Sequence, residues 1–304
     1  MLAIPATLST DKASAGNEPQ GNATSDEKSL AHWMGQIDGD RKLSSLSIPG
    51  THDSGAVHEL LRGTAQCQTL SIPDQLAAGV RFLDIRCRHV DNTFLIYHGF
   101  VDQHLTFAQV ARDCLTFLQE HPSEAILMSI KEEYEPSRNT RSFPETFDAF
   151  VQKNGDRWFL GDSIPCLKDV RGKIVLLRRF TVPTGPRGID ASPWANDSTF
   201  SIPNRAAPLS IQDRYIVNEV GAKWEAVQSL YQESAASKGD ILYLNFTSGF
   251  QPGLLGVPNI RKVSNTINPK LTSFFSNAGH HGFGVSVMDF VTPEICRLIC
   301  NTNH

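Results

Sequence analysis

Short runs rich in Val, Ile, Leu and Phe recur along the chain, at residues 43–48, 80–88, 93–98, 125–130, 173–180, 241–246 and 283–290. Each is bounded by Gly, Pro, Asp or Asn, the pattern of strands buried on both faces of a parallel sheet. The periodicity changes between them. Thr106 and Gln109 have capping-box spacing, and Phe107, Val110, Ala111, Cys114, Phe117 and Leu118 then form one apolar face that Pro122 closes off. Residues 220–235 and 293–300 read as further helices. Alternation of strand and helix on this scale predicts an α/β fold: a single TIM-type (β/α) barrel, irregular because some connections are long.

The polar positions sharpen this picture. Residues two apart on a strand point the same way. In VRFLDIRCR, Phe82 therefore shares a face with Asp84 and Arg86. Phe94 and Ile96 lead to His98, Leu127 and Ser129 to Lys131 and Glu133, Val175 and Leu177 to Arg179, and Val285 and Val287 to Asp289. An inward apolar series thus ends repeatedly in an ionisable group at the C-terminal end of a strand, where β/α barrels build their active sites. His52, in SIPGTHDSG, follows the first strand on a turn marked by Pro49, Gly50 and Gly55.

Composition sets bounds. At 304 residues the chain can bury one large core, and a net charge of −4 does not favour a sequence-blind nucleic-acid binder. A few cations focused in a cleft would still hold an anionic substrate. No apolar run approaches the roughly 20 residues that span a bilayer. Residues 9–28 contain no large apolar side chain, so residues 1–28 are expected to be a disordered leader and 29–304 one catalytic domain. Residues 1–8 are apolar but short, without a preceding Lys or Arg, so no clear signal peptide is visible. Cys67, Cys87, Cys114, Cys166, Cys296 and Cys300 lack CxxC spacing and read as small core residues, with a disulfide or two open. Asn22, Asn196 and Asn245 begin glycosylation triplets, short enough to arise by chance.

Two histidines near an arginine are a minimal kit for cleaving a phosphodiester through an internal nucleophile. One imidazole takes a proton from the attacking hydroxyl, the other returns one to the leaving alkoxide, and the guanidinium balances charge on the phosphoryl oxygens. His52, His98 and Arg86 are the candidates. The bland alternative for each histidine is a ring satisfying backbone groups at a strand end; the other polar strand ends weigh against it. Asp289 would orient an imidazole, and Asp84 would hold the Arg86 guanidinium. Glu133 beside Lys131 suits a polyol, a cation or plain solvation. The remaining histidines fit no HExxH spacing, and no Walker loop or GxGxxG is present.

Taken in order, SIPGTHDSG, RFLDIRCR, YHG, SIKEEYE, GKIVLLRRF, QDRY, LYLNFTS and VSVMDF resemble the blocks of bacterial-type phosphatidylinositol-specific phospholipase C, from about Trp33 to Phe290. The resemblance implies cleavage of phosphatidylinositol to diacylglycerol and inositol 1,2-cyclic phosphate, with slow opening of the ring by water. His52 would be the general base, paired with Asp289, and His98 the general acid, assisted by Asp53. Arg86 would contact the phosphate. Lys131, Arg179, Asp213 and Tyr215 would hold the inositol, with Asp84 and Glu133 close by. Where some relatives use calcium, Arg86 supplies the cation, so neither metal nor cofactor is expected.

The resemblance also implies secretion and peripheral contact with inositol phospholipid or GPI-anchored surfaces; a monomer is expected independently of it. The rim departs from the family, because HELLRGTAQCQTL has no aromatic residue. Leu60 and Leu61, with Phe250, Leu254 and Leu255, are the apolar candidates for a modest membrane contact. Two other readings stay open: an inositol-phosphate or GPI-glycan binding module without turnover, and a metal-dependent glycerophosphodiesterase.

Overall fold

The computed structural model describes residues 30–185, 187–253 and 257–304. The leader expected over 1–28 and the candidates Leu254 and Leu255 lie outside them. The apolar runs become strands, beginning with β1 (Ser47–Thr51) and the long β2 (Phe82–Val90). A hairpin of β3 (Thr93–His98) and β4 (Val101–Thr106) follows, then β5 (Ile126–Glu132), β6 (Trp158–Phe159) and β7 (Ile174–Arg179). The second half contributes β8 (Ile189–Asp190), β9 (Ser198–Ile202), β10 (Leu209–Asp213) and β11 (Leu242–Phe246). A small hairpin of β12 (Gln251–Pro252) and β13 (Pro258–Asn259) precedes the last strand, β14 (Gly284–Met288).

The main sheet runs β6-β7-β5-β2-β1-β14-β11-β10-β9. Its neighbours are parallel except for the antiparallel β9. Successive side chains divide between two layers, as the pleat requires. Ile48, Phe82, Leu127, Val175, Ile211, Leu244 and Val285 fill the concave interior as one cluster. Leu83, Ile85, Met128, Ile130 and Leu176 face outward into helices through Phe107, Val110, Phe147, Val263 and Ile267. Gly50 is needed inside: a Cβ there would lie 2.9 Å from Phe82 Cβ and 3.1 Å from Val285 Cγ1. The capping box at Thr106 and Gln109 is formed and opens the helix Phe107–Glu120.

Three expectations are modified. Among the described residues no ladder joins β8 to β9, so the sheet is a curled half-barrel and not a closed ring. The first run begins as a 3₁₀ turn, Leu43–Ser45, whose Leu43, with Leu46, plugs the interior; the strand itself starts at Ser47. The run ending in His98 is not a barrel strand. β3 pairs antiparallel with β2, and Phe94 and Ile96 belong to the outer layer. β2 continues past the barrel mouth and β3 returns to it. An apolar run does not encode which neighbour it will pair with, which is why periodicity alone could not distinguish the two cases.

All six cysteines are free; five are buried and Cys166 is half-buried, in keeping with small core residues. Asn245 is fully buried and donates to the Val227 carbonyl at 2.8 Å, so it is no glycosylation acceptor in the fold. Among the described residues no helix is long and apolar enough to cross a membrane.

Candidate active site

The C-terminal ends of the parallel strands open into a cavity of about 570 Å³. Its lining includes His52, Arg86, His98, Lys131, Glu133, Arg179, Asp213, Tyr215 and Asp289. Asp53 and Asp84 lie beneath them, both fully buried. Register explains part of this convergence. Arg86 on β2 pairs with Lys131 on β5, which pairs with Arg179 on β7, so three cations stand side by side across the mouth.

His52 is held from both sides. Its Nδ1 lies 2.8 Å from Asp289 Oδ1, and its Nε2 lies 2.8 Å from Arg86 Nη2. A guanidinium only donates, so Nε2 accepts here and the proton sits on Nδ1, facing the carboxylate. Gly249 N–H donates to the other Asp289 oxygen at 3.2 Å. Buried Gln68 fixes the backbone below, its Nε2 donating to the His52 and Met288 carbonyls at 2.9 and 2.8 Å. Burial and Arg86 disfavour the imidazolium, but the Asp289 carboxylate, with Asp84 behind it, outweighs them, and the His52 pKa lies above the ordinary histidine value.

The His98 ring lies edge-on to that of His52, the two centroids 6.3 Å apart. The His98 Nδ1 is 2.6 Å from the Ala65 carbonyl, so that nitrogen carries hydrogen and Nε2 faces inward. Nε2 is 3.7 Å from Asp53 Oδ2, and Arg86 Nε is 3.5 Å from the same oxygen. Neither Asp53 oxygen accepts a hydrogen bond among the described residues. Burial pushes its carboxyl up, against the pull of Arg86 and His98. Its backbone is left-handed, φ 41°, a region Asp enters more readily than most non-glycine residues. A buried carboxyl without a hydrogen-bond partner calls for an explanation beyond packing.

Asp84 is the counter-charge of the mouth. Its carboxylate accepts from Arg86 Nε and Nη2 at 3.3 and 3.2 Å, Ser129 Oγ at 3.3 Å and Arg179 Nη1 at 3.4 Å. Burial would raise it, yet the two guanidinium groups hold it well below the usual carboxylate range. Glu133 accepts from Lys131 Nζ at 2.6 Å and from Gly99 N–H at 3.1 Å. Burial is outweighed there too, by Arg86 and Lys131, and its pKa is lowered.

Sequence reasoning missed Trp194. Its ring lies 3.7 Å under the Arg179 guanidinium, and its Nε1 donates to Asp213 Oδ2 at 2.9 Å. Asn196 Oδ1 accepts from the Tyr215 hydroxyl at 2.8 Å. Both come from an irregular segment between β8 and β9, where no periodicity points at the cavity. Cys67 was read as a core residue, yet its Sγ lies 3.8 Å from His98 Nδ1. His52, Cys67 and Asp289, and likewise Asp53, Cys67 and His98, bring potential metal ligands within 4.8 Å. Arg86 puts a positive charge beside both groups, bonding His52 Nε2 and lying 3.5 Å from Asp53 Oδ2, which opposes a dication at either.

The rim carries exposed apolar side chains. Leu60, Leu61 and Phe100 are 74, 67 and 67 % exposed, and Ile216 and Val257 are also exposed. They adjoin the cavity-lining Thr64, Gly99, Tyr215 and Pro258 in sequence. The loop bearing the two leucines is tied down: Glu59 Oε2 accepts from Gly63 and Gln66 N–H, and Ile260 N–H donates to the Gly63 carbonyl. Phe250 is half-buried and forms cavity wall, 6.0 Å from the Tyr215 ring.

Paired imidazoles around an arginine, above parallel strands, have the make-up of an acid–base site for an anionic ester. A family model described as phosphatidylinositol-specific phospholipase C, X domain, matches residues 40–180. The chain belongs to the bacterial phosphatidylinositol-specific phospholipase C family. It is 32 % identical over 279 residues to the 1-phosphatidylinositol phosphodiesterase of Staphylococcus aureus strain Newman, covering 86 % of this chain and 89 % of that protein. The enzyme of the same name from Listeria monocytogenes is 32 % identical over 286 residues, covering 89 and 84 %. A solved S. aureus phosphatidylinositol-specific phospholipase C, described in terms of modulating its membrane binding, superposes with a TM-score of 0.81 at 29 % identity. That match covers 92 % of this chain and 100 % of the other.

Proposed function

We propose that this protein is a phosphatidylinositol-specific phospholipase C that cleaves its substrate without a metal, the inositol 2-hydroxyl being the nucleophile. The observation that carries this reading is that His52 and His98 line one cavity with their ring centroids 6.3 Å apart, Arg86 bonding His52 directly and sharing Asp53 with His98. His52 Nε2, an acceptor in the resting site, takes the 2-hydroxyl proton as that oxygen attacks phosphorus. The bond from phosphorus to the glycerol oxygen breaks in line. Protonated His98, backed by Asp53, gives its Nε2 proton to the leaving diacylglycerol oxygen. The product is inositol 1,2-cyclic phosphate, which water opens slowly with the two roles exchanged.

Arg86 and Lys131 balance the phosphoryl charge, while Asp289 stabilises the imidazolium that forms on His52. Arg179, Asp213 and Glu133 offer donors and acceptors to the inositol hydroxyls, and Tyr215 stacks beneath the ring. The support is chemical: the donors and acceptors face one cavity, and most are desolvated, which strengthens each interaction.

Several finer points belong to this proposal. The half-barrel is read as an incomplete TIM barrel, and residues 29–304 as its single catalytic domain. Leu60, Leu61, Phe100 and Val257 are read as a membrane-facing rim; a leucine fully transferred from water contributes about 2 kcal/mol. Action outside the cell as a monomer, on phosphatidylinositol and GPI-anchored substrates alike, is the rest of the reading.

The test is incubation with phosphatidylinositol in the presence of EDTA, followed by phosphorus NMR. A cyclic phosphate signal at an unchanged rate is expected. Turnover lost to EDTA without a cyclic intermediate would replace this reading with a metal-dependent phosphodiesterase. Binding of myo-inositol without turnover would replace it with a binding module.

A further inference from the structure

Behind the cavity wall formed by Asp213 and Tyr215 lies a cation that the acid–base chemistry does not use. Lys223 stands near the start of the helix Val220–Ala236 and is 4 % exposed. That place disfavours it twice: burial removes water from its charge, and the helix N-terminus is itself the positive end of the macrodipole. Among the described residues no carboxylate forms an ion pair with it. Its ammonium donates instead to Gln212 Oε1 at 3.1 Å, to the Arg214 carbonyl at 2.8 Å, and to the Phe246 carbonyl. Three acceptors match the three hydrogens of an ammonium.

Those acceptors belong to two strand ends. Gln212 closes β10, and its Nε2 also donates to Asn245 Oδ1 at 2.9 Å and to the Phe246 carbonyl at 2.8 Å on β11. Arg214 lies between Asp213 and Tyr215. Beyond Phe246 the chain leads to Gly249, whose N–H holds Asp289, and to Phe250. The two segments meet again higher up, where Phe250 N–H donates to the Tyr215 carbonyl and Val217 N–H to the Phe250 carbonyl, both at 2.9 Å. Gly249, at φ +154°, permits this approach: a Cβ there would sit 2.8 Å from the Tyr215 carbonyl oxygen. The wall is therefore a two-layer seam, pinned above by backbone and below by one buried ammonium.

We propose that Lys223 is a positioning residue for substrate recognition, fixing the segment of Asp213 and Tyr215 against that of Gly249 and so setting the inositol side of the cavity. This rests on the inositol reading of that wall. Charged groups face Lys223 from several elements: Asp213 and Arg214 at the end of β10, Asp289 after β14, and Asp197 before β9, with Glu219 at the cap of its own helix. Burial outweighs the carboxylates and lowers the lysine to about 8. Above that pH the neutral amine has two hydrogens for three acceptors, and one strand-end tie is lost. Ring affinity then falls as pH rises through about 8, while groups acting on phosphorus stay in place.

The experiment measures kcat and KM on phosphatidylinositol in detergent micelles across that range, for the wild type and Lys223→Met. The wild-type KM is expected to rise about tenfold around the lysine pKa, with no matching step in kcat. Lys223→Met should have the raised KM at every pH and a kcat within about threefold of wild type. A variant with wild-type KM, or one whose KM still climbs through that pH, overturns the proposal. Should the variant fail to fold, calorimetry of the wild type with myo-inositol decides. Affinity that weakens as the lysine deprotonates supports the role, affinity independent of pH sinks it alone, and no binding at neutral pH removes the inositol reading as well.

Discussion

Two arginines five residues apart, buried Arg81 just before β2 and half-buried Arg86 in the middle of it, have different surroundings. Arg81, just below the strand, donates to Glu124 at 2.9 Å and to the carbonyls of Leu76, Val80, Leu30 and Ala31, with its guanidinium 4.5 Å over the Phe117 ring. Every direction is taken up by a fixed protein group, and burial lowers its pKa despite Glu124. Arg86, at the mouth, shares Asp84 with Arg179 and spends one donor on a histidine nitrogen that catalysis must free. Burial is outweighed there by Asp84 and Asp53, and its pKa lies well above the ordinary value. The first arginine is saturated and ties Leu30, Ala31 and the Glu124 turn to the barrel floor; the second is left with interactions a phosphate can replace. A buried charge becomes available for chemistry when its own protein leaves its partners replaceable.

That contrast can be broken at either end. The largest expected effect lies beside Arg86: His52→Ala should lower kcat about 10,000-fold and His98→Ala about 1,000-fold, with melting temperatures close to wild type. Near-normal turnover by either variant would overturn its role. At the floor, Arg81→Met leaves Glu124 buried without its partner and should cost about 3–5 kcal/mol, lowering Tm by roughly 10 °C. Its activity per folded molecule should be retained well below the transition, which separates it from the mouth variants. Arg86→Lys keeps the charge but loses the fork, and a fall in kcat of about 100–1,000-fold is expected with little change in Tm.

Smaller effects sharpen the same comparison. Asp289 raises the His52 pKa, and the base works only when neutral, so activity falls as pH drops through that pKa. Asp289→Asn should move this acidic limb to lower pH and lower the plateau about tenfold, read from a pH–rate profile. An unshifted limb would assign it to another group. The smallest change is expected at the rim. Leu60→Ala with Leu61→Ala should weaken turnover on phosphatidylinositol vesicles by about tenfold or less, leaving a soluble glycerophosphoinositol unaffected.

Period-two reading placed Lys131, Arg179 and Asp289 correctly at or beside strand ends and gave Arg86 its face, though β2 runs on past it to Val90, because side-chain alternation is a local property of an extended backbone. It assigned His98 to a barrel strand and found it on an antiparallel return, since pairing partners are chosen by contacts between distant residues. Trp194 and Asn196 gave no signal at all: they reach the cavity on an irregular segment whose path only the surrounding packing fixes. The helix capped by Thr106 was legible because its cap, apolar face and stop all lie within one short stretch.

Residue type and spacing alone carry the α/β class, the recurring apolar-to-ionic strand endings and the two histidines and arginine proposed for acid–base chemistry. Tertiary structure decided which of those groups are buried together and how each charge is partnered. Among the described residues it left the sheet open between β8 and β9, placed the Asp53 carboxyl beneath Arg86 without a hydrogen bond, and set Lys223 behind the cavity wall. The reason is physical. Desolvation and charge pairing depend on distances between residues far apart in the chain, and these made Arg81 part of the floor while leaving Arg86 to the site.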